Sequence, residues 1–137
     1  MGKKRILILF SVLFSLLLFS ACKGKEDEVK KVKDLEFTVV EEADIPESLK
    51  KLVNEKKKQA FTMSYADGDY LYIVVGYGEQ PSGGFSISVD ELFLGEEAVY
   101  IHTNLIGPSE KDLVTTAYTY PYVVVKTEYL DKIVEFR

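Results

Sequence analysis

The sequence predicts an α+β fold, with one N-terminal helix packed on a mainly antiparallel β-sheet or on a small β-barrel or sandwich. Two observations carry this. A single early segment has helical apolar spacing, and everything after it breaks into short apolar or alternating runs separated by turn signals. The helix is read from Asp44-Ile45-Pro46-Glu47, in which Asp44 suits a cap, Glu47 stands at capping-box distance and Pro46 fits a first turn. Ile45, Leu49, Leu52 and Val53 then form one stripe, and Lys56, Lys57 and Lys58 close the helix where cations suit its dipole. Ahead of it, Leu35 to Glu41 reads as a first strand.

After the helix, Phe61, Met63 and Tyr65 alternate with Thr62 and Ser64, and Asp67-Gly68 is a hairpin signal. Tyr70 to Val75 is almost continuously apolar, as in a strand buried on both faces. Phe85, Ile87 and Val89 alternate with serines, which marks a half-buried strand. Leu92 to Leu94 leads to a turn at Gly95-Glu96-Glu97. Val99, Ile101, Thr103 and Leu105 then alternate with Tyr100, His102 and Asn104. Leu113 to Tyr120, Tyr122 to Lys126 and Ile133 to Phe136 read as closing strands, with Pro121 marking a break or an edge.

Organisation along the chain is clearest at the front. Lys3, Lys4 and Arg5 precede an apolar-or-serine run, Ile6 to Ser20, which is shorter than the roughly 20 residues a membrane-spanning helix needs. A charged start, a short apolar core and small residues at its end describe an export signal. The run closes in Leu18-Phe19-Ser20-Ala21-Cys22, and Cys22 is the only cysteine. This resembles the lipobox of bacterial lipoproteins, which implies lipid attachment at Cys22 and cleavage just before it. Phe19 stands where leucine is usual.

The expected organisation is therefore a signal peptide over 1–21, a lipidated cysteine with a charged flexible tether over 22–34, and one globular domain over 35–137. The tether, Lys23 to Asp34, has only Val29 and Val32 as apolar residues. Cleavage would leave 14 of the 17 Lys and Arg against all 22 Asp and Glu, a net charge of −8. Such an acidic surface disfavours nucleic acid and offers no polybasic route to a membrane, which leaves the lipid as the membrane contact.

Residues that could carry chemistry are few. His102 is the only histidine and Cys22 is taken up by lipid under the lipobox reading, so neither a Cys–His pair nor a histidine metal cluster is expected. Ser82, Ser86 and Ser88 are available to a triad, but His102 sits in an alternating strand pattern and reads as a surface residue. Glu96-Glu97 and Glu110 with Asp112 lack the spacing of a calcium loop. GYGEQPSGG has neither dinucleotide-binding spacing nor a P-loop lysine. No enzyme activity, cofactor or metal is expected.

The recognition candidate is the segment between the strands at Tyr70 and Phe85. Gly76, Gly78, Pro81, Gly83 and Gly84 make it longer and more elaborate than a hairpin requires. Glycine is first a geometric residue, so a loop that only closes the fold remains open as a reading. Tyr118, Tyr120 and Tyr122 would share one face of an uninterrupted strand, either as packing or as a contact surface.

Gly78, Glu79, Pro81, Ser82, Gly83, Gly84, Phe85 and Ile87, followed by Tyr120, Pro121, Tyr122 and Val124, resemble the C-terminal domain of PrcB-type protease-complex subunits. The likeness spans about residues 70–126. Ser82 and Phe85 replace the commoner threonine and tyrosine. It implies an exported lipoprotein that binds and stabilises a surface protease without being catalytic. The binding residues would then be Glu79, Pro81, Ser82, Gly83, Gly84, Phe85, Tyr120 and Tyr122. QPSGGF is also loosely similar to a loop of chagasin-like protease inhibitors, and the tyrosines would equally suit a cell-wall or sugar-binding module.

Overall fold

Strand β4, Tyr70–Tyr77, lies between two others and is buried from Leu71 to Gly76. Its apolar residues alternate between two apolar compartments, as the two-residue period of a strand requires. Leu71, Ile73 and Val75 face one cluster, Tyr72 and Val74 the other. The computed structural model describes residues 28–137, so the expected signal peptide and Cys22 lie outside the described residues.

Among the described residues, eight strands and one helix form the fold. Strands β1 (Lys31–Asp34), β5 (Ser86–Gly95), β6 (Ala98–Ile106) and β8 (Ile133–Phe136) make a first sheet in the order β1-β5-β6-β8. Strands β2 (Phe37–Val39), β7 (Tyr122–Glu128), β4 and β3 (Ala60–Asp67) make a second in the order β2-β7-β4-β3. All pairings are antiparallel except β6 with β8. The two sheets pack face to face. Leu71, Ile73, Val75, Val123 and Val125 of the second sheet meet Leu92, Val99 and Ile101 of the first. The sandwich does not close into a barrel.

Helix α1, Glu47–Lys56, covers the outer face of the second sheet. Its Leu49 and Val53, with Ile45 ahead of it, pack on Tyr72, Val74 and Val124. Leu49 and Val53 are fully buried, each worth roughly 1.5–3 kcal/mol of apolar burial. The α+β reading therefore holds, in three layers: helix, sheet, sheet.

Several local expectations are corrected. Asp44 does not cap the helix: it ends a separate 3-10 turn, Glu42–Asp44. Pro46 occupies the cap position without a side-chain cap, because the residue before a proline is pushed out of helical backbone and Ile45 is accordingly extended (φ −70°, ψ 128°). Lys31–Asp34, read as the end of a solvated tether, is strand β1, with backbone partners on β5 but exposed side chains. Backbone pairing rather than apolar burial places it. The hairpin after β3 turns through Gly68 and Asp69, since Asp67 already pairs with Tyr70.

The largest correction concerns Leu113 to Tyr120, which forms no strand. Residues 107–121 run as a long irregular segment from β6 in the first sheet to β7 in the second. Its one ladder contact is the isolated bridge of Thr119 with Gln80. The segment's side chains are exposed from Ser109 to Tyr118, so its β-forming composition gains no buried face.

Candidate functional site

Residues 78–85 carry the chain from the second sheet to the first, and residues 107–121 carry it back. The two crossings lie together. Gln80 and Thr119 exchange backbone hydrogen bonds of 2.8 and 3.0 Å, and Gly83 N–H donates to the Thr115 carbonyl at 3.0 Å. The Thr119 hydroxyl donates to the Ser82 carbonyl at 2.7 Å, and the Tyr120 hydroxyl reaches Glu79 at 3.2 Å. Below them, Tyr77 N–H donates to the Pro121 carbonyl at 3.0 Å. The Tyr77 hydroxyl joins that of Thr103 at 2.6 Å, tying the two sheets beneath the crossing.

The glycine-rich and tyrosine-rich stretches thus form one unit, as two antiparallel crossings clasped together. Glu79, Pro81 and Gly84 are exposed on it, while Ser82, Gly83, Phe85, Tyr120 and Tyr122 are half-buried. Ser82 spends its hydroxyl on the Gly83 carbonyl at 3.0 Å. The glycine pair is packed rather than open. Gly84 has φ +83°, and a Cβ there would lie 2.5 Å from a Val114 methyl and 2.9 Å from Pro108. A Cβ on Gly83 would approach the Thr115 hydroxyl to 2.8 Å.

The three tyrosines do not share a face. Tyr118 is 66% exposed, Tyr120 leans on Glu79, and Tyr122 packs toward the helix-side cluster. Burial, then the Glu79 hydrogen bond and the Glu79 charge, hold the Tyr120 phenol above its ordinary pKa. Burial, with Glu42 nearby, raises that of Tyr122. Sequence reasoning missed Thr115, Thr119, Pro108 and Val114, which supply the clasp. Only a contact between two distant loops gives them a role, and spacing carries no trace of it. The segment also leaves an apolar group in solvent, with Leu113 fully exposed, and Ile106 at the end of β6 just before it is half exposed.

His102 lies elsewhere, on the outer face of the first sheet. Its Nδ1 is 3.4 Å from Asp90, which also accepts hydrogen bonds from Ser88 (2.9 Å) and Asn104. Ser88 donates to the aspartate rather than to the histidine, so these residues are not arranged as nucleophile, base and orienting acid. Among the described residues, no three His, Cys, Asp or Glu side chains gather as a metal cluster.

Residues 71–128 match the family model described as PrcB C-terminal. This segment is similar to the PrcB C-terminal domain. It runs from β4 to the end of β7 and contains both crossings, while β1 to β3, α1 and β8 lie outside the match. No curated protein and no solved structure matches the chain.

Proposed function

We propose that this protein is a non-catalytic binding subunit, exported and lipid-anchored through Cys22 on the outer side of a bacterial membrane, that holds and stabilises a surface protease. The contact face is the clasped pair of crossings, centred on Glu79, Pro81, Tyr118 and Tyr120. The observation that carries this reading is the clasp itself. The two crossings, which carry the residues of the PrcB resemblance, are brought together by five backbone or side-chain hydrogen bonds, inside the matched segment. A loop held on a rigid scaffold with exposed tyrosine and aliphatic groups suits protein recognition. The net charge of −8 after cleavage and the Cys22 anchor complete the reading as drawn from the sequence.

The test is cross-linking and pull-down from intact membranes, comparing the natural protein with a Glu79→Ala, Tyr118→Ala double variant of unchanged thermal unfolding. A protease enriched with the natural protein and lost with the variant supports the proposal. Enrichment of no protease, or equal enrichment with both, contradicts it. Exposed side chains are the probes of choice, because valine at 83 or 84 would displace the packed 108–115 stretch.

One observation favours an inhibitor as the second reading. The turn after α1 reaches the same end, since a Cβ on Gly78 would come within 2.9 Å of the Ala60 nitrogen. Several loops therefore converge there, as a cleft-filling inhibitor of chagasin type needs. Adding purified protein to the captured protease separates the readings: an inhibitor lowers its turnover, and a stabilising subunit prolongs its activity.

A further inference from the structure

Strand β3 is an edge strand of unusual openness. It pairs with β4 at every residue from Ala60 to Asp67 without a bulge. It has no proline, and no charge before Asp67. Natural sheets blunt such edges with short strands, lysines, prolines or bulges.

The direction of its free backbone groups follows from the ladder. Tyr77 N–H points to the β7 side, where Pro121 accepts it. Alternation then turns the backbone groups of Gly76, Val74 and Tyr72 toward their β3 partners Phe61, Met63 and Tyr65. The N–H and C=O groups of Ala60, Thr62, Ser64 and Ala66 therefore point away from the sheet, and among the described residues no backbone group pairs with them.

The side chains sort the same way. Phe61, Met63 and Tyr65 pack toward the helix cluster, which puts Thr62 and Ser64 on the sandwich side. Both are exposed, and Thr62 borders a cleft of about 400 Å³ left by the first sheet, lined also by Val75, Ile101, Thr103, Phe136 and Arg137.

We propose that the β3 edge is a docking strand for an extended peptide segment of a partner protein, with an apolar side chain at every second residue. The peptide's backbone would take up the free groups of Thr62 and Ser64, and its alternate side chains would enter the cleft. A second copy of this chain fits less well. A β3 strand paired with itself would offer that cleft only Ala60, Thr62, Ser64 and Ala66, whose side chains are too small or too polar to fill an apolar space. The edge lies outside the matched segment, so this inference stands independently of the loop face.

The test uses the full chain in detergent and a synthetic peptide of about ten residues, enough to span the strand, with alternating valine and threonine and lysines at both ends. Amide hydrogen exchange is followed at each residue. Saturating peptide should slow exchange at Thr62 and Ser64 by about tenfold or more, and leave the β1 and β2 edges unchanged. Ser64→Pro removes an outward N–H that β4 does not use, and should weaken binding by about tenfold, whereas Ser64→Ala should bind normally. If Ser64→Pro does not fold, Thr62→Lys, which places a charge at the cleft, takes its place with the same expected loss.

Exchange unaltered by millimolar peptide would overturn the proposal, as would protection confined to another edge or binding undiminished in these variants. Protection of Thr62 and Ser64 without peptide would also overturn it. If that protection rose with concentration the occupant would be a second copy, and if it did not, the chain's own N-terminal stretch.

Discussion

β4 and the crossing that follows it are neighbours in sequence and opposites in construction. β4 is paired along both edges and buried on both faces, so its position is set many times over. The crossing at 78–85 and its partner at 107–121 are held by a few hydrogen bonds and by two glycines packed against Val114, Pro108 and Thr115. The comparison shows a division of labour: the sandwich fixes where the two crossings emerge, and their mutual clasp fixes what they present. A scaffold of this kind allows the surface of the crossings to change without repacking the core.

That division can be broken in graded steps. Ile73→Ala, in the centre of β4 and fully buried, should cost about 2–5 kcal/mol in denaturant unfolding and loosen both sheets together. Gly84→Val should cost about 1–3 kcal/mol, because φ +83° is strained for valine and Pro108 and Val114 occupy its space. Its loss of amide protection should concentrate at Gly83 and Thr119 and spare Ile73. A uniform loss would mean that the crossings and the sandwich are one cooperative unit. Thr119→Val removes the donor to the Ser82 carbonyl, and should cost about 0.5–1.5 kcal/mol, read from the same exchange profile.

The smallest effect is a pH dependence. The folded-state pKa values of Tyr120 and Tyr122 are raised above the ordinary 10.0. Their contribution is therefore complete below about pH 10 and falls as pH rises through the folded-state values. Thermal unfolding followed upward from about pH 9 should show this decline, and Tyr120→Phe should make it shallower. An unchanged slope would mean that ionisation of Tyr120 is not coupled to folding.

How much of this was legible in the sequence follows the same division. The five buried positions Leu71 to Val75 of β4, the β6 strand and the buried Leu49 and Val53 of α1 are local patterns written by burial and read correctly, whereas Tyr70 at the head of β4 is exposed and Tyr100 is buried on the outer face of β6. The clasp was not legible, since Thr115 and Thr119 matter only because distant segments meet. Leu113 to Tyr120 misled for a related reason: threonine and tyrosine favour strands, but this stretch has no sheet to join beyond Thr119. Lys31–Asp34 failed in the opposite direction, as a charged run that pairs through its backbone alone.

The central claim is that the clasped crossings, rather than the helix-covered face, meet the partner. A photo-cross-linking amino acid placed at Tyr118, compared with one at Lys51 on the exposed side of α1, tests this most directly in intact cells. The account predicts capture of a protease from position 118 and none from position 51. Capture from position 51 alone, or equally from both, would contradict it.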